Sequence, residues 1–463
     1  MTITVSNRIR ITEPSAEIME WCKRNLVLDN PEYEKKLRMG FWVGRTPEKL
    51  YLYEWHAGAL LLPYGCLSKV LSFVSDSDTV TGDFSEHDDI DYHANIPLYD
   101  YQQEAVAQMV DAQYGILQAP AGCGKTQMGI AIAAQIGRRT LWLTHTHDLL
   151  NQSKKRAEQY IDGSLIGTIT EGRINIGKGI TFATVQTMCN ADLRLYAETW
   201  DCVIVDECHR VAGTPTAMSQ FSQVLNALSA RHKYGLSATV HRADGMIAAT
   251  YSLLGEIAYS VPDSAVQDKI MPVSIRPRQT NQGLDDYFLD TDGTIVYAKL
   301  ISFLAGQADR NALIVSDLIA NSEHYNLILS DRLAHLEYLM NSLPENLRKQ
   351  AVMIDGKMVS KRAKLAREQA IDEMRQGRKR YLFATYSLAK EGLDIPRLDR
   401  LYLATPQKDY AVITQSIGRI ARTFDGKENP ICYDYVDDGI KYLLRTYKKR
   451  CTTYNKLGCK FVE

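Results

Sequence analysis

Tyr114-Gly115-Ile116-Leu117-Gln118 runs straight into Ala119-Pro120-Ala121-Gly122-Cys123-Gly124-Lys125-Thr126, and a helical stretch follows. A short apolar strand, a glycine loop and a helix in that order make a phosphate-binding loop. The glycines let the backbone wrap an anion, and free N–H groups at the helix start point at it. In such a loop Lys125 reaches the β- and γ-phosphates of a nucleotide and the Thr126 hydroxyl takes Mg²⁺. Ala119 stands where the general pattern has its first glycine, and it is still small enough.

Outward from this loop, short apolar strands alternate with helical stretches. Residues 140–144, 180–184, 202–205 and 234–236 read as strands of the same set. Near-continuous apolar strands separated by helices imply βαβ units and a buried parallel sheet. The strand beginning at Cys202 leads into Asp206-Glu207-Cys208-His209. An apolar strand that ends in two carboxylates delivers them to the C-terminal edge of the sheet, where the phosphate loop also sits. Asp206 is then placed to hold the Mg²⁺ shell, and Glu207 to orient and deprotonate an attacking water. Ser237-Ala238-Thr239 ends another strand at that edge. A second series reads at 327–329, 352–354, 381–384, 401–404 and 431–436, so the chain carries two similar α/β halves.

The remaining stretches set the expected boundaries. Residues 1–75 read as a small folded piece. Pro14-Ser15 starts a helix with Ile18, Cys22 and Leu26 on one face, and Phe41-Trp42-Val43 with Leu50-Tyr51-Leu52-Tyr53 reads as a hairpin. Residues 76–91 hold seven Asp/Glu and no Lys/Arg, so 76–96 reads as an acidic linker. One α/β domain is expected over 97–261, a Pro/Gly/Asp-rich junction over 262–298, a second α/β domain over 299–440, and a basic aromatic tail over 441–463.

Composition narrows the class. The chain has 463 residues, 45% hydrophobic and 24% charged, as ordinary globular proteins do. The formal net charge is −1, so no whole-chain field draws it onto nucleic acid or membrane. That total hides local excess: residues 345–400 hold 14 Lys/Arg against 8 Asp/Glu, and residues 441–463 hold 7 against 1. Nine scattered cysteines form no Cys-x-x-Cys pair, which fits reduced thiols in a cytosolic setting. The start, MTITVSNRIRI, lacks the apolar core of a signal peptide, and no apolar run approaches the ~20 residues of a spanning helix.

Taken together, these residues resemble the core of helicase superfamily 2 over roughly residues 98–437. Ala119 to Thr126 is similar to motif I, and Asp206-Glu207-Cys208-His209 to a DExH-type motif II. Ser237-Ala238-Thr239 resembles motif III, Ala384-Thr385 through Pro396 motif V, and Gln415 to Arg422 motif VI, all in family order. Leu98-Tyr99-Asp100-Tyr101-Gln102 looks like the element upstream of motif I, with Tyr99 where members often carry Arg. His241-Arg242-Ala243-Asp244-Gly245 and Asp434-Tyr435-Val436-Asp437 are similar to elements of XPB/UvsW-like DNA helicases, with Val240 in place of a usual proline.

The resemblance implies two tandem RecA-like parallel-sheet motor domains preceded by a small α+β accessory domain. It implies ATP hydrolysis with Mg²⁺, in which Gln102, Ala119, Gly122, Gly124, Lys125, Thr126, Gly392 and Asp394 bind the nucleotide. Gln415, Arg419 and Arg422 act from the second domain, with Arg422 as an arginine finger; three residues apart, the two arginines share one face of a helix turn. His209, Ser237 and Thr239 couple nucleotide state to strand grip. Thr144, His145, Thr184, Gln186, Ser330 and Thr385 contact the nucleic-acid backbone without reading bases. The tail, with Tyr442, Tyr447 and Tyr454 among its lysines, suits single strands or a fork, and Lys448, Lys449 and Arg450 are its expected contacts. DNA is the expected substrate, with no membrane. Protein partners in replication, repair or recombination are expected, in the cytoplasm of a bacterial or phage-infected cell. An RNA helicase, or a nucleic-acid-stimulated ATPase subunit of a larger nuclease or defence complex, stays open on the same residues.

Overall fold

Strands β1 (Thr2–Val5) and β2 (Arg8–Thr12) alternate apolar and polar residues and pair antiparallel, with Ile3 opposite Ile11. Ile3, Val5, Ile9 and Ile11 therefore all face one core. The Ser15 hydroxyl caps the helix Ala16–Asn25, which buries Ile18 and Cys22 against that sheet, as the sequence indicates. The expected hairpin does not form. Residues 41–43 are irregular between Gly40 and Gly44, both at positive φ, and β3 (Val27–Asp29) instead pairs with β4 (Lys49–Tyr51). Strands β5 (Glu54–His56) and β6 (Ala59–Pro63) extend the first sheet beside β2.

A computed structural model of the chain describes all residues except 121, 171, 213–214, 239–245, 267–269, 281–294, 355–360, 391–392, 394 and 463. Within it the expected acidic linker is partly sheet. Strand β7 (Thr79–Gly82) pairs parallel with β1, because Thr79-Val80-Thr81 is β-prone despite its acidic flanks. Residues beyond it are a pinned strap. The Ser85 hydroxyl donates to the Trp200 carbonyl at 2.9 Å, and the buried Tyr92 hydroxyl to the Arg138 carbonyl at 2.8 Å.

The first parallel sheet contains β8 (Tyr114–Gln118), β9 (Thr140–Thr144), β10 (Ile166–Thr170), β11 (Arg173–Asn175), β12 (Ile180–Thr184), β13 (Cys202–Asp206), β14 (His232–Ser237) and β15 (Ile257–Ser260). Their order is β11-β10-β12-β9-β13-β14-β8-β15, antiparallel only at β10–β11. The strands read from sequence are all present; β10, β11 and β15 were not anticipated. Asp206 lies beside Leu236, and Ser237 beside Gln118, so β8, β13 and β14 end together at one edge. The helix Lys125–Ile136 packs close on this sheet, since a Cβ on Gly129 would come within 2.7 Å of Trp142.

The amino-terminal sheet is docked on this first sheet. Lys233 of β14 is fully buried and donates to the carbonyls of Asn7 (3.0 Å) and Leu225 (2.9 Å). Its ammonium lies 4.9 Å from the Tyr64 ring centre, and the Tyr64 hydroxyl donates to the Arg231 carbonyl at 2.7 Å. Residues 1–265, apart from 121–123, accordingly cluster as one compact unit, and the rest as a second.

The second unit holds β16 (Ser274–Gln279), β17 (Asn326–Ser330), β18 (Ala351–Ile354), β19 (Tyr381–Thr385), β20 (Arg400–Leu403), β21 (Ile431–Val436) and β22 (Lys460–Phe461). The order is β18-β19-β17-β20-β21-β16-β22, all parallel. Two expectations change here. The junction 262–298 contributes β16 to the sheet, and the tail 441–463 is the helix Lys441–Lys456 followed by β22. Arg450 of that helix is buried on the Asp434 carboxylate with two contacts of 2.8 Å, so it is part of the core rather than a strand contact.

Candidate active site

Gly124 opens the helix Lys125–Ile136 at φ +85°, and Gly122 sits at φ +88°. Both conformations are open to glycine and costly for other residues. A Cβ on Gly124 would also lie 2.5 Å from the Gln102 side chain, so Gln102 closes directly on the loop. Gln102 is buried, and its carbonyl oxygen accepts from the Tyr99 backbone N–H at 3.0 Å. Lys125 leans back toward the carbonyls of Ala119 and Pro120 at 3.4 and 3.5 Å. These long contacts leave the ammonium within reach of an anion in the loop. Ala119 is fully buried.

At the neighbouring strand end, Asp206 is buried and accepts from the Ser153 hydroxyl (3.1 Å) and the Glu207 backbone N–H (3.0 Å). Burial, and next the Glu207 charge, raise its carboxyl well above the usual range, while Lys125 pulls the other way. A divalent cation held between Asp206 and Thr126 would relieve that crowding of negative charge, so the residues present fit Mg²⁺. Glu207 sits at φ +50°, a left-handed conformation uncommon for a side chain of its kind. This turn places its carboxylate 3.2 Å from His209 Nδ1, which lies 3.1 Å from the Ser237 hydroxyl. Glu207, His209 and Ser237 therefore form one contiguous chain of contacts. Thr239 and the stretch 240–245 lie outside the described residues.

In the second unit the helix Tyr410–Ile420 carries Gln415 and Arg419. Gln415 is buried, with no hydrogen bond to its carbonyl oxygen among the described residues, and Arg419 donates to the Leu393 carbonyl at 3.0 Å. Arg422 is not on the same helix turn as Arg419, contrary to the spacing argument. The helix ends at Ile420, and Arg422 forms an isolated bridge with Ile270. Lys427 fixes its backbone, donating to the carbonyls of Arg422 (2.7 Å) and Pro396 (3.1 Å). Burial pushes the Lys427 ammonium down to about 8. Gly392 and Asp394 lie outside the described residues.

The expected backbone contacts divide into two kinds. Thr144, Thr184 and Ser330 are buried, and their hydroxyls serve the fold. Thr144 donates to the Thr146 carbonyl, Thr184 caps the helix Val185–Cys189, and Ser330 joins His335 at 3.1 Å. His145 and Gln186 contact each other at 3.3 Å, and Thr385 meets Ser387 at 2.9 Å on the surface. Burial, then the charges of Arg210 and His209, lower the His145 pKa. His145 thus lies within electrostatic reach of His209. Sequence reasoning missed Ser153, Lys427 and Arg210, which sit in ordinary polar surroundings with no motif signal.

Comparison with known proteins fits this geometry. The family description "Type III restriction enzyme, res subunit" matches residues 95–242, and "Helicase conserved C-terminal domain" matches residues 298–424. The chain belongs to the superfamily 2 helicases. As a member, this helicase is an ATP-hydrolysing enzyme with ATP-binding and nucleic-acid-binding features. It is 24% identical over 349 residues to helicase D10 of Escherichia phage T5, covering 75% of this chain and 73% of that one. It is 32% identical over 164 residues to the DNA 3′-5′ translocase XPB2 of Sulfurisphaera tokodaii, covering 35% and 36%. It is 25% identical to a protein of Acanthamoeba polyphaga mimivirus named as an ATP-dependent RNA helicase, covering 70% and 60%. The helicase thus spans less than two thirds of the last two relatives.

Among solved structures, Saccharomyces cerevisiae Dbp5 bound to RNA and ADP BeF3 has a TM-score of 0.55 at 14% identity, covering 79% of this chain and 94% of that one. That likeness shows the two-domain RecA-like fold. T4 UvsW aligns over 100% of this chain and 99% of that one at 19% identity, with a TM-score of 0.42. No helix among the described residues is long and apolar enough to cross a membrane.

Proposed function

We propose that this helicase is an ATP-driven DNA translocase that moves on and remodels duplex or branched DNA. The observation that carries the reading is the contact chain Glu207–His209–Ser237 beside the loop lysine. It joins the group suited to activate water directly to the end of β14, one strand away. Lys125 and the loop N–H groups hold the phosphates, Thr126 and Asp206 hold Mg²⁺, and Glu207 takes the proton of the attacking water. Mg²⁺ supplies charge neutralisation on the phosphates. Arg422 acts as the arginine finger, with Arg419 and Gln415 supporting it. His209 and Ser237 relay the nucleotide state toward His145 and Gln186, which lie at the ends of β9 and β12 and face nucleic acid.

DNA is favoured by the relatives named as DNA 3′-5′ translocase XPB2 and DNA 3′-5′ helicase XPB, 32% and 30% identical over 35% and 38% of this chain. The second reading, an RNA helicase, is favoured by the mimivirus relative named for RNA. ATPase stimulation and strand separation across linear duplex, forked DNA, single-stranded DNA and RNA separate the two. Stimulation by DNA well above RNA is expected; equal or stronger stimulation by RNA reverses the assignment. A bacterial or phage-infected cytoplasm, with partners in replication, repair or recombination, fits the phage relative.

A further inference from the structure

The helix Lys441–Lys456 has two unlike faces. Leu443, Thr446, Arg450, Thr453 and Tyr454 are buried, and Arg450 and Tyr454 both bind the Asp434 carboxylate of β21 at 2.7–2.8 Å. The Arg450 guanidinium also donates to the Gln407 carbonyl at 3.1 Å. These contacts fix the rotation of the helix about its axis. The face left outward carries Lys441, Arg445, Lys448, Lys449 and Lys456, all exposed. At 100° per residue the five cations fall within an arc of about 100° and extend over roughly 22 Å. Among the described residues none of the five has a carboxylate partner, and the nearest exposed acid in sequence, Asp438, precedes the helix.

We propose that this face is a binding surface for the phosphate backbone of double-stranded DNA. This rests on the reading of the chain as a DNA translocase. The surface is a rigid row of cations, and a duplex presents one negative charge per ~1.7 Å of axis, on the order of a dozen along this length. The nearby aromatic rings argue against a single-strand platform, which needs open rings for base stacking. Tyr454 is buried, and the Arg450 guanidinium sits 5.5 Å from the Tyr447 ring centre. Lys408 donates to the Tyr442 hydroxyl at 3.3 Å and lies 5.8 Å from that ring, while Lys456 lies 5.7 Å from the Tyr410 ring. The tyrosines hold cations in place instead of receiving bases. The sequence expectation of Arg450 and interleaved tyrosines as strand contacts thus becomes a backbone-only surface without either.

The test uses the full chain and a random-sequence 30-bp duplex, with affinity read by fluorescence anisotropy at several NaCl concentrations. The triple variant R445Q/K448Q/K449Q is compared with the parent and with K23Q/R24Q, which removes exposed charge from the amino-terminal helix. The triple variant is expected to weaken duplex binding and to flatten the slope of log affinity against log salt by ~0.9 per lost phosphate contact, up to about 2.7. Its DNA-independent ATPase and melting temperature stay at the parent's values, and K23Q/R24Q keeps the parent slope. An unchanged slope and affinity overturn the proposal. An equal or larger loss with single-stranded DNA overturns the assignment to duplex. A parent that neither binds duplex nor is stimulated by it overturns the translocase reading together with this surface. A parent that is stimulated, with an unshifted variant slope, overturns the surface alone.

Discussion

Glu207 combines a left-handed backbone with a carboxylate 3.2 Å from His209, and both follow from the tight turn that ends β13. Glu207→Gln is expected to lower the ATP turnover number ~10²–10⁴-fold while nucleotide binding survives, as loss of a general base does. Steady-state hydrolysis alongside nucleotide-trap binding checks this, and turnover near the parent rate refutes the assigned base. His209→Ala removes the side chain that touches both Glu207 and Ser237, so strand separation should fall much further than ATP hydrolysis; equal losses in paired assays would remove the relay role. Lys233 offers a pH test. Burial pushes its ammonium down to about 7, against a usual 10.5. Between those values the unfolded chain holds a proton that the folded chain lacks, so this lysine makes stability rise as pH increases from 7 toward 10.5. Lys233→Met should flatten that rise by roughly 2 kcal/mol between pH 7.5 and 9.5, read by urea denaturation at each pH. Lys125, Asp206, Glu207 and His209 were legible because chemistry demands those residue types at a strand end. Lys233 was not, because a lone lysine in a strand gives no sign that a second sheet will cover it.

At the scale of elements, the helix Lys441–Lys456 shows how composition misleads. Its lysines and tyrosines read as a basic aromatic tail for nucleic acid, yet Leu443, Thr446, Arg450 and Tyr454 recur at helical spacing and form its buried stripe. Arg450→Ala leaves the buried Asp434 carboxylate without its counter-charge, held only by the Tyr454 hydroxyl, and breaking one side of such a pair costs about 3–5 kcal/mol. Lys448→Ala, on the exposed face, should change stability by less than about 0.5 kcal/mol. Chemical denaturation of the two single variants decides the matter, and equal midpoints would contradict the burial. Strand β16 escaped the sequence reading because Arg276, Pro277 and Arg278 break the apolar run that marks a strand. In the folded sheet Arg276 lies over the Tyr433 ring and Arg278 pairs with Asp317 at 2.9 Å. Conversely, Phe41-Trp42-Val43 looks β-prone but leaves Trp42 87% exposed, because flanking glycines turn the chain away from any partner strand. The two parallel sheets were legible because their strands are buried on both faces and nearly all apolar.

For the whole molecule, the net charge of −1 says little about ligands, since acids gather in 76–91 and bases near 441–456. The amino-terminal sheet is a fixed part of the first unit, held through Lys233 and Tyr64. Removing residues 1–82 should therefore expose buried surface and lower the melting temperature of the remainder by several degrees, as calorimetry would show; an unchanged transition would mean the sheet folds apart. The second unit carries a different constraint, one of timing. Strand β16 begins its sheet, but its partner β21 lies 157 residues later, as the register of Ser274 with Ile431 and of Gln279 with Val436 shows. At ribosomal speeds of about 5–20 residues per second, β16 waits roughly 8–30 s for that partner. A bare strand in a nascent chain invites pairing with its neighbours on the polysome. Arg276, Pro277 and Arg278 make it a poor template for such pairing, acting as gatekeepers during synthesis. The residues that hid the strand from sequence reading are those that shelter it until the sheet can close.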